Sequence, residues 1–324
     1  MVFALVVALS FGPALIYAAI IYWLDRFEKE PLRLLAGVFL WGAVVATIGA
    51  IIATTVLEQS VQFLTGSAAV AEITGTTLLA PIVEESLKGM AVLIIFLAFP
   101  HEFDSALDGI VYAAITALGF AATENVLYLY FQGYLSDGAS GLTALFVLRV
   151  LLGGWGHAVY TASIGIGLAA ARLHRGWAIK ILAPIAGWAV AVFLHALHNS
   201  MATLLGAQFG LGGIFITLLV DWTGWAVALG LVVWAVFRER HWMRSYLREE
   251  VSLGTISAAQ YRTACSLRAQ IAARARGRAA RQFYGTCAEL AQKKHQLAML
   301  GEERGNRARV SALRDSLVQL SPAV

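Results

Sequence analysis

Charge is scarce in this 324-residue chain: Lys, Arg, Asp and Glu together make up 14% of it, against 59% hydrophobic residues. Soluble globular domains carry about 25% charged and 45–50% apolar residues. A soluble single-domain enzyme is therefore excluded, as is a disordered or fibrous chain. The mean hydropathy of +0.71 points to a lipid solvent. Cysteine is nearly absent, and Cys265 and Cys287 have no C-x-x-C spacing, so there is neither a disulfide framework nor a zinc finger. H-E-x-x-H and G-x-S-x-G are both missing, which removes support from zincin and serine-hydrolase chemistry. No repeat with a period of 20–50 residues is visible.

The few charges are unevenly placed. Residues 1–237 hold eight Lys/Arg against thirteen Asp/Glu, and residues 238–324 hold sixteen against seven. The formal charge of +4 thus conceals an acidic-leaning apolar body, 1–237, and a basic tail, 238–324. The body contains seven apolar stretches, near 3–24, 32–57, 73–98, 108–131, 143–171, 178–205 and 211–237. Each has the roughly 20 residues a bilayer-spanning helix needs. Exposed strands would leave unpaired backbone groups in hydrocarbon, and no barrel-like alternation is present. The expected fold is all-α: a polytopic membrane helix bundle of about seven transmembrane helices with a helical cytoplasmic tail.

Loop charges orient the bundle. The connectors 58–72, 132–142 and 206–210 contain no Lys or Arg, whereas 25–31 (DRFEKEP, followed by Arg33) and 172–180 are basic. The positive-inside bias then places the N-terminus outside and the tail in the cytoplasm. The first stretch lacks a basic leader and reads as a retained span, not a signal peptide. In the tail, Ser257 marks a helix start, and Gly277, Gly301 and Gly305 punctuate two or three helices. Arg274, Arg276, Arg278 and Arg281 read as a solvated face drawn to anionic lipid heads. No interleaved aromatics suggest nucleic acid.

Ionisable groups inside apolar stretches cost several kcal/mol each and demand a reason. The third stretch carries Glu84, Glu85 and Lys88, and the fourth Asp108 and Glu124-Asn125. The fifth carries Arg149 and His157, the sixth His195, His198 and Asn199, and the seventh Asp221. Counted inward at 1.5 Å per residue, Glu84, Glu124, His157, His195, Asn199 and Asp221 fall between about 9 and 21 Å deep. That coincidence across five stretches describes one polar site. Lys88 is four residues from Glu84 and three from Glu85, so it can face both carboxylates, holding one ionised and leaving the other for chemistry. Phe120 and Glu124 share a face, as do His195 and Asn199. Asp108 reads as a helix N-terminal residue, and Asp221 and Arg149 can pair with each other. Two His with one or two Glu suit a divalent metal with an open position for water. They equally suit a metal-free Glu acting as general base, with His and Asn donating to an oxyanion.

Glu84-Glu85-Ser86-Leu87-Lys88 matches EExxK, Phe120 to Glu124 matches FxxxE, and His157 and His195 lie on the next two stretches. With DRFEKEP ahead of them, residues 15–235 resemble the PrsW family of intramembrane proteases, distant relatives of CAAX prenyl endopeptidases and Abi-type immunity proteins. The resemblance implies an intramembrane endopeptidase cutting a membrane-embedded protein, with a single-span, anti-sigma-factor-like regulator as the substrate type. It implies Glu84 as the water-activating carboxylate, Glu85 and Lys88 as its support, and Glu124, His157, His195 and Asn199 as the rest of the catalytic set. The implied cofactor is one divalent ion, zinc first, on Glu124, His157 and His195, with His198 as an alternative ligand. Glutamate-activated water without metal stays open. The lipid bilayer is a partner by construction; no nucleic acid is expected, and the tail's partner is undefined. A proton-coupled transporter, or an adaptor acting through the tail, is the competing class.

Overall fold

The computed structural model describes the chain apart from residues 26–28, 104 and 303–304. Arg26 and Glu28, part of the DRFEKEP connector, lie outside the described residues. Every regular element among the described residues is helical. In order they are α1 (Val2–Leu24), α2 (Leu32–Thr65), α3 (Ala68–Thr74), α4 (Ala80–Ala98), α5 (Ala106–Leu127), α6 (Leu135–Leu145), α7 (Gly156–Arg172), α8 (Trp177–Phe209) and α9 (Leu211–Ser252). Four more follow: α10 (Ala258–Ala264), α11 (Leu267–Arg274), α12 (Arg278–Leu300) and α13 (Asn306–Leu320).

Among the described residues, five helical runs are long and apolar enough to cross a membrane: α1, α2, the run Ala106–Arg172, α8 and α9. The chain is a multi-pass membrane protein. The third apolar stretch of the sequence corresponds to α4, which stands apart because it carries Glu84, Glu85 and Lys88. The fourth and fifth lie within the single run Ala106–Arg172, which turns back at Asp137 and Gly138, the latter at φ 62°. After the turn, α6 lies against the segment Tyr128–Tyr134. A Cβ on Gly133 would stand 3.2 Å from the Leu142 backbone.

α5 is the hub, with 18 of its 22 residues buried. Its start is fixed by a capping box. The Ser105 hydroxyl oxygen accepts from the Leu107 and Asp108 amides, and the Asp108 carboxylate accepts from the Ser105 amide at 2.6 Å. Asp108 is thus a capping residue, as its position suggested. Glycines let the neighbouring helices close on this hub. A Cβ on Gly165 of α7 would stand 2.0 Å from the Gly109 carbonyl oxygen, and one on Gly119 would stand 2.0 Å from that of Phe39 in α2. Lipid tails provide no hydrophobic drive between helices, so such close backbone packing holds the bundle together.

Among the described residues, four segments widen into π-helix: Trp41–Ala46, Gly75–Leu79, Tyr128–Tyr134 and Phe146–Leu152. Irregular backbone at membrane depth needs replacement partners, because no water is available there. Side chains of neighbouring helices supply them at three of the four. The Thr123 hydroxyl donates to the Ala43 carbonyl (2.7 Å), the Asn199 amide to Thr76 (2.9 Å), and the Trp222 indole to Leu152 (3.0 Å). The π segments adjoin the residues that carry Glu84, Glu124 and His157, in keeping with the tendency of such bulges to sit at functional sites.

α9 continues past Phe237 without interruption and enters a second core formed with α10–α13, including Met243, Leu247, Phe283, Leu290 and Leu317. Fully buried Glu250 anchors this core, accepting from Lys294 at 2.6 Å and from Arg314 at 2.9 Å. The tail holds four helices where the sequence pattern indicates two or three. Ser266 accepts from the Ala269 amide and restarts the helix directly after Cys265, a second cap that the glycine punctuation does not reveal. Both cysteines are buried here as free thiols.

Candidate active site

Two adjacent carboxylates on α4 meet very different surroundings, because successive helix positions are rotated by about 100°. Glu85 is fully buried and saturated. One oxygen accepts from Lys88 Nζ at 2.6 Å and faces His195 Nδ1 at 2.9 Å; the other accepts from the Thr161 hydroxyl at 2.7 Å. Glu84 is buried too, yet its Oε2 has no hydrogen-bond partner. That oxygen lies 3.6 Å from Lys88 Nζ and 3.8 Å from His195 Nε2.

Lys88 is the cation at the centre of the cluster, with no exposed surface. Besides the two carboxylates it reaches His157 Nδ1 at 3.2 Å and lies 4.4 Å above the Phe120 ring. The aromatic residue of FxxxE therefore faces the ammonium, and its acid, one turn on, serves His157. Glu124 Oε2 is 3.0 Å from His157 Nε2 and accepts from Arg149 at 2.8 Å. Arg149 also donates to Asn125 and stacks on Tyr128. His157 and His195 approach edge to face, with ring centroids 5.0 Å apart, and Tyr160 stacks on His195.

The structure thus joins Glu84, Glu85, Lys88, Glu124, His157 and His195 in one cluster. Asn199 and His198 are used otherwise. Asn199 holds the Thr76 carbonyl, tying α8 to the segment that leads into α4. His198 Nδ1 faces Asp221 at 2.8 Å, and Asp221 also accepts from the Tyr160 hydroxyl. The expected pairing of Asp221 with Arg149 does not form, because each has another partner: Arg149 meets Glu124, and Asp221 meets His198. Sequence reasoning missed Thr161 and Tyr160. Their signal was the spacing from His157, four residues on for Thr161 and three for Tyr160, and hence on its face of α7.

The donor set is suited to a metal ion in its chemistry. Glu84, His157 and His195 each offer a ligand atom, all within 4.8 Å of one another. Glu84 replaces Glu124 in the expected trio, since Glu124 is turned toward Arg149. The Glu85 carboxylate beside His195 Nδ1 fixes the tautomer that leaves Nε2 bare, the arrangement that orients ligating imidazoles. His157 meets Lys88 on one nitrogen and Glu124 on the other, so ligation requires it to release one of them.

A small pocket of about 50 Å³, large enough for water, adjoins the cluster at His157 and is lined also by Asn125, Arg149, Gly153, Tyr160 and His198. The helix break at Gly153–Trp155 borders it, as expected of non-helical backbone at membrane depth. A bundle of apolar helices that encloses paired carboxylates and imidazoles beside a water-sized pocket has the make-up of a membrane-embedded hydrolase.

Comparison with known proteins agrees. The family model described as PrsW family intramembrane metalloprotease matches residues 30–235, and the chain belongs to that family. It is 27% identical to Protease PrsW of Geobacillus kaustophilus over 250 residues, covering 74% of this chain and 92% of the relative. It is 26% identical to Protease PrsW of Halalkalibacterium halodurans over 201 residues, covering 62% and 84% respectively. Protease PrsW of Bacillus subtilis is 31% identical over 129 residues, 40% of this chain and 55% of the relative. No solved structure matches the chain. The chain is an intramembrane protease, and its substrate is a membrane protein met within the bilayer.

Proposed function

We propose that this protease cleaves a single-span membrane protein with water activated at Glu84. The observation that carries the assignment is the contrast between neighbours: Glu85 is saturated by three partners, while Glu84 keeps a buried oxygen without one. An anionic oxygen in that condition is where a water proton can go. Glu85 then serves as the fixed negative charge that orients His195 and holds Lys88. Lys88 offsets the charge of both acids, and its ammonium can donate to the oxygen that becomes anionic as the peptide carbonyl is attacked. Glu124, braced by Arg149, orients His157 from behind. Asn199 acts at one remove, by positioning α8 against the approach to α4.

Glu84, His157 and His195 would hold a divalent ion, and zinc suits this nitrogen and oxygen set. When bound, such an ion supplies Lewis acidity and lowers the pKa of water. In either chemistry Glu84 would be the carboxylate that serves the attacking water. The proposed orientation puts the N-terminus outside and the tail, from Arg238 onward, in the cytoplasm. The basic face of the tail then meets anionic headgroups.

The test reconstitutes the full chain in proteoliposomes with epitope-tagged single-span membrane proteins and follows fragment appearance. Glu84→Gln should abolish a cleavage that the wild type performs, with insertion and thermal unfolding unchanged. Cleavage by Glu84→Gln at the wild-type rate would remove Glu84 from the role. Metal content of the purified wild type, measured with activity before and after chelation, reads the ion directly.

A further inference from the structure

The small pocket at His157 is continuous with the acid and imidazole cluster. His157 forms part of its wall, and one ring nitrogen of His157 lies within 4.8 Å of both a Glu84 oxygen and a His195 nitrogen. Tyr160, also in the wall, stacks on His195 with ring centroids 5.4 Å apart. Arg149 stands beside them, bonded to Glu124. Asn125 from α5 and His198 from α8 are the two polar lining residues outside the cluster.

These two side chains are each anchored at one end. Asp221 of α9 is buried, and its Oδ2 lies 2.8 Å from His198 Nδ1 while its Oδ1 accepts from the Tyr160 hydroxyl at 3.2 Å. A carboxylate only accepts, so Nδ1 carries a hydrogen and the imidazole offers Nε2 as an acceptor. Asn125 Oδ1 accepts from Arg149 Nε at 3.3 Å, and because a guanidinium only donates, the other end of the amide is an N–H donor. Among the described residues neither His198 Nε2 nor the Asn125 amide nitrogen has a hydrogen-bond partner. The pocket wall thus holds one unused acceptor and one unused donor at membrane depth, where polar groups demand a reason.

A peptide unit carries the complementary pair, one N–H and one C=O. An apolar span in lipid is helical because each of these groups must be satisfied within the segment. A carbonyl inside that ladder is bonded along the axis, so the segment must leave the helix before water at Glu84 can attack it. The groups freed with it cost several kcal/mol each unless they find new partners. A helix about 10 Å across cannot enter a pocket of about 50 Å³, so only chain that has left its helix fits.

We infer that this pocket is the subsite for one unwound peptide unit of the substrate beside the scissile bond, with Asn125 donating to its carbonyl oxygen and His198 Nε2 accepting from its N–H. Asp221 is the positioning residue, since it fixes both His198 and the Tyr160 ring. The inference rests on the hydrolytic reading of the Glu84 site. It names what that site would recognise next to the bond it cuts: main chain, with no requirement for a particular side chain.

The experiment uses full-length protein in proteoliposomes and the tagged single-span protein that the wild type cuts, its cleavage position mapped by fragment mass. Semisynthetic copies of that substrate carry an ester in place of one amide at a time on either side of the scissile bond, which deletes one N–H and weakens one carbonyl acceptor. One such position should raise KM about fivefold, the scale of one hydrogen bond, with kcat within about twofold. His198→Ala should raise KM for the all-amide substrate by a similar factor, and the sensitive ester should then add nothing, the non-additivity expected of groups in contact. Asp221→Leu should raise KM likewise and show the same loss of ester sensitivity. Asn125→Ala should do so for the carbonyl. Insertion and thermal unfolding are followed for every variant; if Asn125→Ala does not fold, partly exposed His198 decides. Additivity of His198→Ala with every ester, or a loss confined to kcat, overturns the subsite. Wild type that cuts no membrane protein would instead overturn the hydrolytic reading, whereas cleavage with KM unchanged in His198→Ala overturns the subsite alone.

Discussion

Lys88→Met is the sharpest test of the electrostatic design of the site. The ammonium has no exposed surface, stands 2.6 Å from Glu85 and 3.6 Å from Glu84, and is the cation shared by both. Methionine keeps most of the volume and removes the charge, leaving two buried carboxylates without it. Removing one member of a buried ion pair costs about 3–5 kcal/mol, because the remaining charge stays desolvated. Glu85 would still have His195 and Thr161 as partners, which places the expected loss toward the lower end, about 3 kcal/mol. Unfolding of the full chain in mixed micelles of rising SDS content measures it. Adding Glu85→Gln to Lys88→Met neutralises the stranded acid, so the double variant should be more stable than the sum of the singles by about 1–3 kcal/mol. Cleavage should be lost in all three. A Lys88→Met protein within about 0.5 kcal/mol of wild type, the range of ordinary surface substitutions, would refute the compensation argument. Strict additivity of the two substitutions would do the same.

Thr161→Val keeps the shape of the side chain and deletes the 2.7 Å hydrogen bond to Glu85. A bond to a charged group is worth about 1.5–3 kcal/mol, so the same unfolding assay should show a loss of that order, with kcat falling too. Gly165→Val puts a side chain where a Cβ already lies 2.0 Å from the Gly109 carbonyl. It should yield no monodisperse protein on size-exclusion chromatography, whereas Gly37→Ala, with open space around it, should behave as wild type. Burial raises the pKa of both Cys265 and Cys287, which lie in the core of the tail. Because the thiolate is the reactive form, a maleimide at pH 7 should leave both unlabelled until the chain is denatured, as read by intact mass.

How much of this was legible in the sequence follows from which interactions are local. The helical class and most spans are written in long apolar runs, and the lysine's reach to both acids follows from helical spacing alone. The layer of polar groups at a common depth was also readable, since depth needs only a count along the helix. Partners across helices were not. Arg149 and Asp221 are opposite charges on the fifth and seventh stretches, yet rotation about each helix axis turns one to Glu124 and the other to His198. The π segments have no period of their own in the sequence, and their carbonyls are received by Thr123, Asn199 and Trp222, whose roles depend on distant contacts. Asn199 shows the limit well. Its spacing from His195 suggested a shared catalytic face, but its amide serves a backbone carbonyl on another element.

The two adjacent glutamates show how one motif divides its labour. Identical side chains, one residue apart, are separated by about 100° of helix rotation. That turn takes Glu85 into contact with Lys88, His195 and Thr161, where both of its oxygens are engaged and the group is fixed. Glu84, turned toward the imidazoles, lies near the same lysine but beyond hydrogen-bond reach. A buried carboxylate oxygen without a donor is costly in hydrocarbon, and a bundle built only for stability would have no reason to keep it. Glu85 and Lys88 lessen that cost without removing it: the lysine supplies the charge balance, and the fixed neighbour holds the lysine in place. The EExxK spacing is therefore the shortest helical pattern that can place a rigid acid, an acid left without a hydrogen-bond donor and their common cation on one element. The histidines and Glu124 must then arrive from other helices, which is why the glycine contacts that bring α5, α7 and α8 together are as necessary to the site as the acids themselves.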